Sequence, residues 1–119
     1  MNIKLNEIAN KTVIVSGGKG SMGVMVSNFI NDLDDFEVVG IIDPGENDST
    51  FKNFLISDDL VCDYIFEFAP ASVVNENIKI LVNNDAKLII GSSGVNDESI
   101  KLLKNSEKGI ALIPNFSAG

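Results

Sequence analysis

Apolar residues in this chain gather in compact blocks, at residues 12–16, 36–42, 64–68, 87–91 and 110–113. Within most blocks they run consecutively instead of alternating with polar residues. That is the pattern of parallel strands buried on both faces. A further short strand is expected near residues 54–56. The segments between blocks are helix-like, with helices expected at about residues 21–32, 71–84 and 97–107. Pro70 stops the strand before it and suits the first turn of a helix. Asn96 or Asp97 can cap the last helix, and Asp97 and Glu98 place negative charge at its positive end. Residues 44–50, a Pro-Gly-Glu-Asn-Asp-Ser-Thr run, read as a polar surface loop. Strand–helix alternation with short connections, and no repeat, low-complexity tract or linker, predicts one α/β domain with a doubly wound sheet.

The connection after the first block carries most of the chemistry. Gly17-Gly18-Lys19-Gly20-Ser21-Met22-Gly23 leaves the apolar run Thr12 to Ser16 and opens onto a helix-like segment, with glycines spaced G-x-x-G-x-x-G. Gly17 permits a tight turn off the strand. Gly20 lets a pyrophosphate approach the backbone, and Gly23 lets the helix lie close to the sheet. The helix start then offers free N–H groups and partial positive charge to phosphates. Asp43 follows 20 residues after Gly23, at the end of the second apolar block. An acid at about that distance (~20 residues) commonly holds a ribose diol. Together these features predict a Rossmann-type fold, a mostly parallel sheet with helices on both faces, and a dinucleotide site. The competing reading is a structural glycine turn with Asp43 as a solvated strand end.

Composition narrows the function classes. The net charge is −8, all nine basic residues are lysines, and the chain has no arginine and no histidine. A nucleic-acid partner is not expected, because a phosphate backbone needs a basic face. With one cysteine and no histidine a zinc site is not expected either. No apolar run approaches the ~18 residues of a membrane span, and the first residues lack a signal-peptide pattern. A cytoplasmic protein is expected, and Cys62 reads as a small buried hydrophobe. Lys19 is the only cation in sequence near the glycine turn.

Three other segments sit where strands should end. Gly91-Ser92-Ser93-Gly94 can offer backbone N–H groups and two hydroxyls, or it can be a plain connection. Pro114-Asn115-Phe116-Ser117 can line a ligand or form an ordinary turn. Glu67, in Glu67-Phe68-Ala69-Pro70, reads equally as a buried structural acid and as a group near the ligand.

In order and spacing, the glycine turn, Glu67 to Pro70, Gly91 to Gly94 and Pro114-Asn115-Phe116-Ser117-Ala118-Gly119 resemble the N-terminal half of the dihydrodipicolinate reductases of lysine and diaminopimelate synthesis. That family shows G-x-x-G-x-M-G, D-F-T, G-T-T-G and N-F-S-x-G in this order, and the resemblance covers residues 11–119. It implies a reductase using NADH or NADPH. Gly17, Gly18, Lys19, Gly20, Ser21 and Met22 would wrap the pyrophosphate, and Asp43 would hold the adenosine ribose. Gly91, Ser92 and Ser93 would lie along the nicotinamide. Ile113, Pro114, Asn115 and Phe116 would close its pocket. The family's catalytic His-His pair, lysine and P-S-G-T loop follow the N-F-S-x-G segment, in a second domain. None of them occurs in this sequence, so no catalytic residue is expected in this chain and no turnover from it alone. Glu67 and Ala69 replace the family's Asp and Thr, and Ser92 and Ser93 replace two threonines.

The residue after Asp43 is Pro44, where NADPH-preferring members carry an arginine. Proline has no charge and no donor, and without arginine no bidentate phosphate clamp can form. NADH is therefore expected to be preferred, with NADPH usable, and the chain is expected to be a monomer or weak homodimer. A stand-alone nucleotide-binding module or redox sensor is the alternative, and a different α/β dehydrogenase or a CoA-binding domain is a third reading.

Overall fold

The structure is a computed structural model that describes residues 11–17, 21–43, 51–106 and 109–112. Its strands are β1 (Lys11–Ser16), β2 (Phe36–Ile42), β3 (Lys52–Phe54), β4 (Tyr64–Glu67), β5 (Lys87–Ile90) and β6 (Ile110–Leu112). The helices are α1 (Ser21–Asn31), α2 (Ala71–Leu81) and α3 (Asp97–Asn105). The six strands form one sheet in the order β3-β2-β1-β4-β5-β6, with every neighbouring pair parallel. This is the doubly wound, Rossmann-type arrangement, and its strand order reverses between β1 and β4.

Consecutive apolar residues in the strands supply two cores because successive side chains point to opposite faces. Val13 and Val15 of β1, with Val38 and Ile41 of β2, meet Val26 and Ile30 of α1 on one face. Ile14, Ile42, Ile65, Leu88 and Ile90 meet Val74, Ile78 and Leu81 of α2 and Leu103 of α3 on the other. Val74, Ile78 and Leu81 follow the i, i+4, i+7 spacing that puts three side chains on one helical stripe. Burying each such aliphatic side chain stabilises the fold by roughly 1.5–3 kcal/mol. Helices therefore cover both faces, as the sequence predicts. Among the described residues no helix is long and apolar enough to cross a membrane.

Two element boundaries differ most from expectation, the others by no more than two residues. The short edge strand lies at Lys52–Phe54 rather than 54–56. Lys52 pairs with Gly40, and Phe54 lies where a Cβ on Gly40 would be, 2.1 Å from that position. Helix α2 stops at Leu81 instead of continuing to 84. Asn84, just past the helix end, is buried, and its amide donates to the carbonyls of Leu60 (2.9 Å) and Ser57 (3.4 Å) while its oxygen accepts from Ala86 N–H (2.8 Å). That asparagine fastens the helix-free β3–β4 connection, whose Ile56, Leu60 and Cys62 pack against the larger core.

Candidate nucleotide-binding site

The parallel register brings the strand ends level. Ser16 pairs with Ile42 on one side and Glu67 on the other, Glu67 with Ile90, and Ile90 with Leu112. Gly17, Asp43, Phe68 and Gly91 therefore leave the sheet along a single carboxyl edge, centred on the strand-order reversal. With strands about 4.8 Å apart, Asp43 emerges about 5 Å to one side of Gly17 and Gly91 about 10 Å to the other.

Gly17 has φ of 79°, the left-handed region. A Cβ there would lie 2.8 Å from the carbonyl carbon of Phe68 and 2.9 Å from its oxygen. Its N–H donates to the Ile42 carbonyl (2.7 Å), and Phe68 N–H donates to the Ser16 carbonyl (2.8 Å). The start of the turn is thus held between β2 and β4 with no room for a side chain. Beyond it, α1 begins at Ser21 with no acid in its first turn. Its positive end is not neutralised by its own side chains, which suits an anion. Met22 is half-buried and Gly23 buried at this helix start. Gly18, Lys19, Gly20 and the side chain of Ser21 lie outside the described residues.

Asp43 is positioned by an asparagine on the edge strand. The Asn53 amide accepts from Asp43 N–H (3.2 Å) and donates to the Asp43 carbonyl (3.1 Å). Both bonds engage the main chain of Asp43, so they fix its backbone at the end of β2.

On the other side, Gly91 N–H and the Ser92 hydroxyl both donate to the Glu67 carbonyl, at 3.0 and 3.2 Å. The Ser92 hydroxyl is therefore engaged within the protein, whereas Ser93 is exposed. Gly94 has φ of 84° and lies against Ala71 at the start of α2, with 2.5 Å between a built Cβ and that of Ala71. Asn75 of α2 donates to the Gly94 carbonyl (2.9 Å), while its oxygen accepts from Asn96 N–H (3.0 Å) and the Ser99 hydroxyl (2.7 Å). Strand β6 reaches the same edge at Leu112; Ile113, Pro114, Asn115 and Phe116 lie outside the described residues.

Glu67 is wholly buried at the centre of this edge, on the side of the sheet covered by α2. Asn77 donates to its Oε2 (2.9 Å). Burial pushes the carboxyl above its ordinary value of 4.5, against the opposing influence of the Ser16 hydroxyl, Asn77 and the Ala69 N–H. The Ser16 hydroxyl faces it without reaching hydrogen-bond geometry, and Oε1 and Ser16 Oγ are both without a partner among the described residues. The structure puts Glu67 in the core, level with Ser16 and one residue before Phe68, on whose carbonyl Gly17 packs.

Asn53, Asn75 and Asn77 hold this edge in shape, and motif reading does not find them. A signal was present for the two on α2. Asparagine is a poor helix former, and two of them in an otherwise well-patterned helix point to a task for their amides.

Other candidate chemistry is weaker. Among the described residues no group of three or more His, Cys, Asp or Glu side chains is placed to hold a metal ion. Cys62 is half-buried, and burial, with Asp63 beside it, pushes its thiol up to about 11, so it is a poor nucleophile. A concavity of about 330 Å³ at the amino ends of β1, β4 and β5 mixes Lys11 and Lys87 with Asp63 and Asp85. Its Asp63 is already engaged by Thr12 N–H (2.8 Å) and the Thr12 hydroxyl (3.2 Å).

Known proteins share both the sequence and the fold. Residues 11–116 match the family model described as dihydrodipicolinate reductase, N-terminus. The 4-hydroxy-tetrahydrodipicolinate reductase of Lactobacillus helveticus is 30% identical over 89% of this chain and 46% of the relative. That of Lactiplantibacillus plantarum is 34% identical over 87% of this chain and 46% of the relative. The chain thus spans about half the length of these relatives. A dipicolinate-bound dihydrodipicolinate reductase from a Paenisporosarcina species superposes with a TM-score of 0.70 at 19% identity, covering 89% of this chain and 48% of the other. An aspartate semialdehyde dehydrogenase with NADP from Candida albicans shares the fold at a TM-score of 0.67 and 17% identity, covering 90% of this chain and 43% of the other. With a family model matched over residues 11–116, the chain belongs to the dihydrodipicolinate reductase family and corresponds to its N-terminal part.

Proposed function

We propose that this chain is the nucleotide-holding half of a cytoplasmic 4-hydroxy-tetrahydrodipicolinate reductase, and that it binds NADH in preference to NADPH. The observation that carries this reading is the alignment of Gly17, Asp43 and Gly91 on one carboxyl edge at the strand-order reversal. The residues present fit a dinucleotide. Gly17 leaves bare backbone where a side chain would collide, α1 offers N–H groups without a neutralising acid, and the Asn53-fixed Asp43 ends the strand beside them.

When bound, the nicotinamide supplies hydride. The chain's own residues bind and orient. Gly17 and the start of α1 would hold the pyrophosphate by main-chain N–H groups, Asp43 would accept from the ribose hydroxyls, and Gly91 and Ser93 would border the nicotinamide side; residues 18–20 and 113–116, which the resemblance adds, lie outside the described residues. The sequence has no histidine, the commonest general acid, so the isolated chain is expected to bind cofactor without turnover. Asp43 repels a 2′-phosphate and Pro44 offers it no donor, which favours NADH.

Calorimetric titration with NADH and NADPH tests both parts. Saturable NADH binding that exceeds NADPH binding is expected. Equal affinities would overturn the cofactor preference, and absence of binding by either would overturn the nucleotide site. Measurable reductase turnover by this chain alone would overturn the division of labour.

A further inference from the structure

Glu67 and Ser16 are two of the three buried side chains that leave an oxygen unpaired among the described residues, the third being Ser27 of α1, and they are the two that sit level on paired strands. Both are buried, at 0% and 1% exposure, and Glu67 Oε1 and Ser16 Oγ each lack a partner among the described residues. A buried oxygen left without a partner is costly. Ionised, the carboxylate has the Asn77 bond on Oε2 and no counter-charge facing it among the described residues; a proton removes that uncompensated buried charge while Oε2 keeps its bond from Asn77. The pair also has a particular address. Ser16 is the residue before Gly17, and the Gly17 backbone packs on the carbonyl of Phe68, the residue after Glu67.

We propose that the Glu67–Ser16 pair is a proton-binding site coupled to the nucleotide turn, so that an anionic dinucleotide binds best when the carboxyl carries its proton. The coupling rests on the nucleotide reading above. A negative charge on Glu67 would lie in a low-dielectric core, level with Ser16 at the start of the glycine turn, where repulsion of a bound anion is poorly screened. By linkage, bound nucleotide holds the proton in place, and loss of the proton weakens the nucleotide by the same factor. Glu67 acts here as a positioning residue, through its strand neighbour Ser16 and through Phe68, which packs on Gly17.

The surroundings favour the neutral form. Desolvation dominates the shift of the carboxyl, and the groups that face it are uncharged: Ser16 from β1, Asn77 from α2 and the Ala69 N–H. The charged residues of α2, Glu76 and Lys79, are exposed and pair with each other at 3.2 Å. On β5 the residue level with Glu67 is Ile90, and Lys87 is at the far end of that strand; Lys11 is at the far end of β1. Lys19 of the turn lies outside the described residues. The absence of histidine makes the site readable, because few side chains in the chain change charge near neutral pH, and the Cys62 thiol is pushed up to about 11.

The test combines carboxyl carbon-13 NMR of the wild-type chain, without nucleotide and with NADH, and calorimetry of NADH binding from pH 5.5 to 9 in two buffers of different ionisation enthalpy. Glu67 is expected to titrate well above the ordinary carboxylate range, and its midpoint to rise on adding NADH. Affinity is expected to fall with rising pH, by about tenfold for each unit of that rise, with proton uptake on binding. Glu67→Gln should bind NADH with no such slope, and Ser16→Ala should move the midpoint. An ordinary midpoint in the free chain, or the wild-type slope persisting in Glu67→Gln, would overturn the proposal. If NADH fails to bind at any pH, the nucleotide reading and the coupling fall together, whereas the NMR midpoint still decides whether the pair holds a proton. A Glu67→Gln chain that does not fold leaves the wild-type midpoints and the Ser16→Ala shift to decide.

Discussion

Gly17 shows how narrowly one residue is specified. Its φ of 79° disfavours any side chain, and the position of a Cβ is blocked by main-chain atoms of Phe68 that no rotamer change can move. Gly17→Ala is expected to destabilise the fold by about 1–3 kcal/mol, read as a lower urea midpoint, and to abolish NADH binding. Wild-type binding in that variant would show that the turn does not hold the nucleotide. Asp43→Ala removes a group proposed to accept from the ribose, so it should weaken NADH more than NADPH in paired titrations; an equal loss would remove Asp43 from the specificity argument. At Glu67 the consequence is a pH dependence of stability. The folded carboxyl releases its proton at higher pH than the unfolded one, whose ordinary value is 4.5. Between those two points the folded state binds more protons, so stability falls as pH rises from about 4.5 through the raised folded midpoint and levels off above it. Urea denaturation at a series of pH values should show that decline in the wild type and not in Glu67→Gln. Parallel curves would contradict it.

At the scale of elements, legibility followed from how local each signal was. The cap of α3 is local: Asn96 Oδ1 accepts from Ser99 N–H at 2.8 Å, as its sequence position suggests. Asn96→Ala should cost about 1 kcal/mol in chemical denaturation. Asn75 is not legible in this way. Its partners Gly94, Asn96 and Ser99 lie 19 to 24 residues away, and only the packing of α2 beside α3 brings them together. Its replacement by alanine removes three hydrogen bonds and leaves buried Ser99 Oγ without that partner, so it should destabilise more than the loss of the cap itself. The reverse order would mean that the α2–α3 junction is held by its apolar contacts alone. The strands were legible because their apolar runs are continuous and the faces they feed are both covered. Their exact ends were not. Phe54 over Gly40 and Asn84 reaching the Leu60 carbonyl are tertiary choices that overrode the local preferences near 54–56 and 82–84. The glycine turn, Asp43 and Gly91 were legible as a set because each marks a strand end, and the parallel register lines strand ends up. The asparagines that hold them there carry no motif.

The whole molecule adds a constraint that no single element has. β1 and β4 are neighbours in space, yet they belong to halves of the sheet that wind in opposite directions, and the turn at Gly17 sits on the seam between them. A ligand spanning from Asp43 through Gly17 to Gly91 touches strands of both halves, so it should bind the assembled sheet and not the unfolded chain. Its effect on stability is then set by mass action. NADH at one hundred times its dissociation constant should stabilise the fold by about 2.7 kcal/mol, and at roughly 4 °C per kcal/mol for a domain of this size the melting midpoint should rise by roughly 10 °C. NADPH at the same concentration should give a smaller rise, and the Gly17→Ala variant none. Calorimetric scans across a concentration series check this directly, because the midpoint must climb with the logarithm of ligand concentration. A midpoint that stays fixed while NADH rises would mean that the carboxyl edge, though correctly aligned by its register, does not bind the nucleotide in this chain.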